Sequence, residues 1–286
     1  MLIENKEAMS VQRYYIPGSE WLYLKIYSGP KILEQFLIEE MYPKILQLIE
    51  QGLVNSFFFI RYNDPDYHIR LRLKVNSSEN IGVVLNQLFS ILDSNVNSNV
   101  FSNVSIDTYT RELERYGENL IEATEKVFFL DSVFILDYFS TLQSDMERWC
   151  VSCLYIDKLL DSINYSLEEK TNFCKHLSMS YIEELLHDQD YGKIQMDRLF
   201  RNNKKSITAA FETNSSSRIV ENLLFYIDSI LFYTSLQTKQ TFDPISSIIH
   251  MHINRMFRTQ QRLTECAIYG VLYRYYKSKQ ARLYKQ

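Results

Sequence analysis

Residues 57–75, FFFIRYNDPDYHIRLRLKV, constrain the fold more than any other part of the chain. An apolar run meets a turn at Asn63-Asp64-Pro65-Asp66, and a strictly alternating run follows, which is the pattern of a β-hairpin. Side chains alternate across a strand. Ile69, Leu71, Leu73 and Val75 therefore share one face, and His68, Arg70, Arg72 and Lys74 share the other. A strand that is apolar behind and nitrogenous in front is either the solvated outer face of an antiparallel sheet or an anion-binding wall. Periodicity by itself favours the solvated face.

The neighbouring segments supply partners for this hairpin. WLYLKIY at Trp21–Tyr27 reads as a strand rich in aromatic and β-branched residues. Gly29-Pro30 opens a helix with Ile32, Leu33, Phe36 and Leu37 at helical spacing. Pro43 is expected to kink or split that helix and Gly52 to stop it. Ser77-Ser78 caps a second helix with Ile81, Val84, Leu85, Leu88 and Leu92 on one face. Residues 94–105 read as a Ser/Asn-biased loop that leads into a strand over 104–109.

From Glu112 onward the pattern is almost wholly helical. Ser166-x-x-Glu169 is a capping box. Residues 201–217 are polar and read in part as a loop, 218–236 as a strongly apolar helix, and 263–277 as the last helix. Asp243-Pro244 forms an N-cap and first turn for a helix running past Phe257. No internal repeat is present. The chain reads as one α+β domain over residues 1–286: a mixed N-terminal third with a small antiparallel sheet and helices, then a mainly α-helical remainder.

Composition removes several function classes. At 46% hydrophobic and 23% charged, the 286 residues suit a globular protein with a substantial core. Seven Gly are few for a Rossmann-type design, and neither GxGxxG nor GxxxxGK[ST] occurs, so phosphate-loop nucleotide binding is not indicated. A net charge of −4 argues against direct nucleic-acid binding. Cys150-x-x-Cys153 lacks the second pair that a zinc site needs and reads as buried thiols in a helix, so no metal is expected. With a polar start and no transmembrane segment in the sequence pattern, the expectation is a reduced, cytoplasmic protein.

Two further segments carry chemistry. In YTRELERYG (109–117), Glu112 and Arg115 lie three apart, a spacing that lets the carboxylate hold the guanidinium; Arg111 and Glu114 read as surface ion-pair residues. In SIIHMHINR (247–255), Ile245, Ile248, Ile249, Ile253 and Met256 define the apolar face of a helix. His252 falls within that face and reads as a satisfied core histidine. His250 falls off it, between Ser247 and Asn254, where an imidazole can move a proton. Arginines on a strand, an arginine held by a glutamate and one helix-edge histidine suit carboxylate binding and proton transfer. They do not name a reaction.

Taken in order, these segments resemble the C-terminal glutamate-elimination domain of class I lanthipeptide dehydratases, the thiopeptide-type bacteriocin biosynthesis family. The likeness lies in PGSEWLYLKIYSGP (17–30), FFFIRYNDPDYHIRLRLKV, the E-x-x-RYG of 112–117, the HMxxNR of 250–255 and LYRYYKS (272–278), and it covers nearly the whole chain. Each motif alone is weak. One departure is Glu118, where the family often has a second Gly after RYG.

The resemblance implies an enzyme without cofactor that acts on a ribosomally synthesised precursor peptide. In the family, a separate and larger domain moves glutamate from glutamyl-tRNA to Ser or Thr. The elimination domain then expels glutamate to leave dehydroalanine or dehydrobutyrine. Carried onto this sequence, the implied catalytic residues are Arg72, Arg115 and His250, with Arg70, Glu112, Asn254 and His68 as substrate-binding neighbours. The glutamylation domain does not accompany these motifs, so the expectation is a stand-alone member or the separate half of a split dehydratase, with a glutamylating subunit as partner and room for a homodimer. The resemblance leaves two alternatives open: pyridine formation by a formal aza-[4+2] cycloaddition, and a non-catalytic docking subunit for the precursor peptide.

Overall fold

In the computed structural model, which describes residues 11–141, 144–186, 189–213, 225–229 and 242–283, the hairpin forms the middle of the N-terminal half. The order is β1 (Tyr14–Tyr15), β2 (Trp21–Tyr27), α1 (Pro30–Phe36), α2 (Tyr42–Glu50), β3 (Val54–Asn63), β4 (Tyr67–Val75), α3 (Ile81–Asn97), β5 (Asn103–Ile106) and β6 (Tyr109–Thr110). Helices follow: α4 (Leu113–Tyr116), α5 (Ile121–Phe139), α6 (Asp145–Ser162), α7 (Leu167–Leu185), α8 (Gln189–Thr213), α9 (Phe242–Met256) and α10 (Gln261–Leu283). This is the expected α+β arrangement. None of the described helices is long and apolar enough to cross a membrane.

The main sheet is antiparallel in the order β3-β4-β2-β5, and β1 pairs with β6 in a separate ribbon. Register follows the hydrophobic pattern. Leu22, Leu24 and Ile26 of β2 stand beside Leu73, Leu71 and Ile69 of β4, and Phe57 and Phe59 of β3 complete the buried face. Leu33, Phe36, Ile45 and Leu48 of the first helices and Val84 and Leu88 of α3 cover it. Each such side chain contributes roughly 1.5–3 kcal/mol on burial, so a one-residue slip that exposed this set is excluded.

Local signals act as their chemistry requires. Gly29 and Pro30 open α1, and Gly52 follows α2 with φ +69°, a conformation that favours glycine. The helix is split as Pro43 predicts, with Pro43 in the first turn of α2. A π-helical turn at Leu37–Met41 separates α1 from α2. Ser77 N-caps a 3₁₀ turn that leads into α3, and the Ser166/Glu169 capping box opens α7.

The structure corrects several boundaries. The Ser/Asn-rich segment is helical through Asn97, because Ile91 and Leu92 still pack on the core. Residues 201–213 continue α8 instead of looping. Phe200, Ile207 and Phe211 form an inward stripe, and Phe211 stacks on Tyr275 at 4.3 Å. The rest of that segment, and most of 218–236, lies outside the described residues; 225–229 is helical. The final helix starts two residues earlier than its pattern suggested and runs to Leu283. Ile32 is exposed although it fits the apolar spacing of α1. Arg111 is buried, not superficial: Glu125 accepts from its Nε and Nη2, both at 2.7 Å. Cys153, Cys174 and Cys266 are buried thiols, and Cys150 is half-buried.

Buried polar groups tie α9 to the sheet. β3 is an edge strand, and α9 covers its edge. The Asn254 carboxamide accepts from the Arg61 backbone N–H and donates to its carbonyl, both at 2.9 Å. Arg255 donates to the Phe59 carbonyl and to Asp131 of α5, whose other oxygen meets His252 Nδ1 at 2.7 Å. Burial pushes the Asp131 carboxyl up, but His252 and Arg255 together outweigh it and the net shift is down. A depressed folded value stabilises above the unfolded carboxylate pKa of about 4, and that contribution is lost as pH falls through the folded value. Acid unfolding of Asp131→Asn, compared with wild type by circular dichroism, should therefore show a shallower loss of stability below about pH 4. An unchanged slope counts against this role.

Candidate active site

The nitrogenous face of β4 is not solvated. Cross-strand pairing places Tyr23 of β2 and Phe58 of β3 on either side of Arg72. The guanidinium carbon lies 4.5 Å from the Tyr23 ring, 5.2 Å from Phe58 and 4.8 Å from Tyr109. Arg72 is 7% exposed, and its Nε and Nη1 are buried with no hydrogen-bond partner among the described residues. Burial lowers its pKa, while Tyr109, Tyr23 and Glu112 act in the opposite direction. A guanidinium stays charged in such a setting, so this one is a buried cation still in need of an acceptor.

Arg70 and His68 extend the same face toward the turn. The Asp66 carbonyl accepts from His68 Nδ1 at 2.8 Å, which leaves Nε2 to accept from Arg70 Nε at 3.2 Å. The ring is fully buried and stacked on Tyr27, and burial pushes its pKa down, against the Asp66 hydrogen bond. A neutral imidazole with both nitrogens engaged orients Arg70, which lies over Tyr62 at 3.5 Å. In the other direction the face reaches Trp21 and Lys74, which with Ser56, Glu122, Glu125 and Lys126 line a cavity of about 190 Å³. Its two carboxylates make it a poor anion site beside Arg72.

Glu112 and Arg115 belong to the short helix α4, one at its N-cap and the other in its single turn. The Glu112 carboxylate stands 3.7 Å from Arg115 Nη1 in a half-exposed pair. Arg115 Nε donates to Ser247 Oγ of α9 at 3.2 Å. Tyr116 is where these groups converge. Burial raises its pKa, and Arg115, Glu112, Arg255 and Arg72 all act on it electrostatically. It packs with Tyr23, Phe58, Tyr109, Phe128 and Met251 in one aromatic cluster around Arg72. His250 follows Ser247 by one turn, with its Nδ1 2.8 Å from Glu265 Oε2 of α10.

The structure thus joins Arg72, Glu112 and Arg115 around Tyr116, sets Arg70 and His68 farther along β4, and fixes Asn254 to the edge of β3. The rings of Tyr23, Phe58 and Tyr109 are site residues beyond those expected from the sequence. Their signal was present: the period of two from Trp21 puts Tyr23 on the face opposite Leu22 and Leu24. Glu265 lay inside a helical pattern with no local mark.

Residues 21–276 match the family model for the C-terminal part of lantibiotic biosynthesis dehydratases. The chain belongs to this family. It is similar to nisin biosynthesis protein NisB of Lactococcus lactis subsp. lactis, with 26% identity over 97% of this chain and 27% of the relative. It is also similar to subtilin biosynthesis protein SpaB of Bacillus subtilis, with 28% identity over 90% of this chain and 25% of the relative. The chain spans about a quarter of the length of these curated relatives. Its fold is shared with the tRNA-dependent lantibiotic dehydratase MibB from Microbispora sp. 107891 (TM-score 0.66, 19% identity, 93% of this chain and 29% of that one). It is shared too with TsrL (TM-score 0.70, 12% identity, 92% and 96%) and with the pyridine synthase TbtD from thiomuracin biosynthesis (TM-score 0.58, 10% identity, 89% and 97%).

Proposed function

We propose that the chain eliminates glutamate from glutamylated Ser or Thr side chains of a ribosomally synthesised precursor peptide. A base takes the Cα proton, the electron pair forms the Cα=Cβ bond, and the Cβ–O bond breaks with glutamate leaving as its carboxylate. Dehydroalanine or dehydrobutyrine remains. The observation that carries this reading is the buried Arg72 guanidinium, boxed by aromatic rings and lacking an acceptor among the described residues. A departing carboxylate is the acceptor such a group best accommodates.

In this reading Arg72, with Arg70 beside it, binds the leaving carboxylate. Arg115, held by Glu112 and Ser247, stabilises negative charge that develops on the peptide as the proton leaves. His250 moves the proton. His68 and Asn254 act through others, by orienting Arg70 and fixing β3. No cofactor enters these steps. Glutamyl transfer lies outside what these side chains do, and the reading assigns it to a separate glutamylating subunit. Pyridine formation and peptide docking share the fold and are not favoured by a particular observation.

Purified protein given a Ser- or Thr-glutamylated peptide is expected to release free glutamate and leave a dehydrated peptide, read by mass spectrometry. Unmodified peptide with glutamyl-tRNA is expected to remain unchanged until a glutamylating partner is added. Dehydration of unmodified peptide by this chain alone would sink the split assignment, and failure to act on the glutamylated peptide would sink the elimination assignment.

A further inference from the structure

We propose that Glu265 is a positioning residue that fixes the tautomer of His250 and so turns its Nε2 lone pair toward the proton being moved. This rests on the elimination reading of His250. Glu265 lies on α10 with a side chain 1% exposed, and its Oε2 is 2.8 Å from His250 Nδ1. An ionised carboxylate can only accept, so Nδ1 carries the hydrogen. The neutral ring then keeps its lone pair on Nε2, away from α10.

The surroundings of Glu265 favour this role over a simple tie between helices. Among the described residues its ion-pair partner is His250, whereas Arg262, one turn away, pairs with Glu184. Beside Glu265 stand the neutral rings of Tyr181 on α7 and Tyr269 on α10; burial first, and then Glu265, raises the pKa of each. A buried carboxylate without a lysine or arginine is a costly way to join two helices that apolar residues could join. The protein also contains an internal control. His252 makes the same Nδ1-to-carboxylate contact with Asp131, but that ring is wholly buried, stacked on Tyr155 at 3.8 Å, and its Nε2 is sealed without a partner. The His250 side chain keeps 22% exposure, so the nitrogen opposite Glu265 remains reachable. The same device appears twice, once closed and once open.

The test combines kinetics with ¹⁵N NMR of the histidine rings. Glu265→Gln keeps the shape but offers both an acceptor and a donor, so the tautomer is no longer fixed. We expect kcat for glutamate release to fall about 10- to 100-fold with KM for the glutamylated peptide unchanged. In the free protein the Nδ1–H signal of His250 should give way to a tautomer mixture. Glu265→Asp, which can only accept, should keep the wild-type tautomer and recover part of kcat; it also serves if the Gln variant melts early. If His250→Ala abolishes elimination while Glu265→Gln keeps both kcat and the Nδ1–H signal, Glu265 is an interhelix tie and the inference is overturned. If His250→Ala retains full elimination, the role of His250 itself fails, and the positioning role falls with it.

Discussion

His250→Ala is expected to stall the reaction, with glutamylated peptide accumulating and the rate about 10²–10⁴-fold down, the loss typical of a missing proton-transfer group. The fold should persist. The ring is partly exposed, and water can reach Glu265 in its place. His252→Ala should act in the opposite sense. It removes a fully buried ring from beneath Tyr155 and one of the two donors to Asp131, whose Oδ1 then faces a void while Arg255 still holds Oδ2. The cavity and the unpartnered Asp131 oxygen together should cost about 3–5 kcal/mol of stability, with elimination retained in the molecules that stay folded. Mass spectrometry of the peptide beside thermal melts of both variants separates the cases. A folded but inactive His252→Ala with an unstable but active His250→Ala would reverse the two assignments.

The division between these histidines was legible in the sequence because α9 has a clean apolar face. Ile245, Ile248, Ile249, Ile253 and Met256 are all buried, and helical geometry then places every neighbour. The hairpin was legible for the same reason at a period of two. What covers its nitrogenous face was not. Arg72 meets Tyr23 through one strand pairing, Phe58 through another and Tyr109 through a third element; the period of two marks the face on which Tyr23 lies, but not which elements close over Arg72. Buried charge was the other blind spot. Arg111 reads as surface until Glu125, fourteen residues on, folds onto it. Arg61 was closer to being readable, since it continues the alternation of Phe57 and Phe59 into the core. Its partner Glu34 lies on α1, beyond the reach of any spacing rule.

Glu34→Gln is expected to be among the most destabilising single changes in the protein. The Glu34 carboxylate is 6% exposed and accepts from Arg61 Nη2 at 2.8 Å and from Arg148 at 2.7 and 3.0 Å, with Arg258 3.9 Å away. Asp145, largely exposed, pairs with Arg258 at 2.8 Å and stands 3.5 Å from Arg148 Nε, and two negative charges still do not balance three guanidiniums. The remainder is met by the end of α9: Arg61 Nε donates to the Arg255 carbonyl at 3.0 Å, and Arg148 Nη1 to that of Met256 at 2.7 Å. Carbonyls at a helix C-terminus carry partial negative charge, so the cluster is a cap for α9 with Glu34 as its counter-ion. Removing that charge leaves the buried Arg61 guanidinium with no carboxylate among the described residues and Arg148 with only the exposed Asp145, at a cost of about 3–5 kcal/mol, read as a lower denaturant midpoint. The effect should not stop at stability. α9 presents Ser247 to Arg115 and His250 to Glu265, so loosening its C-terminal end should also lower the elimination rate of the folded variant. A Glu34→Gln protein with a wild-type midpoint would mean that the α9 carbonyls, with Asp145, hold both arginines without it, and that the Glu34 carboxylate is not what fixes this helix to the sheet.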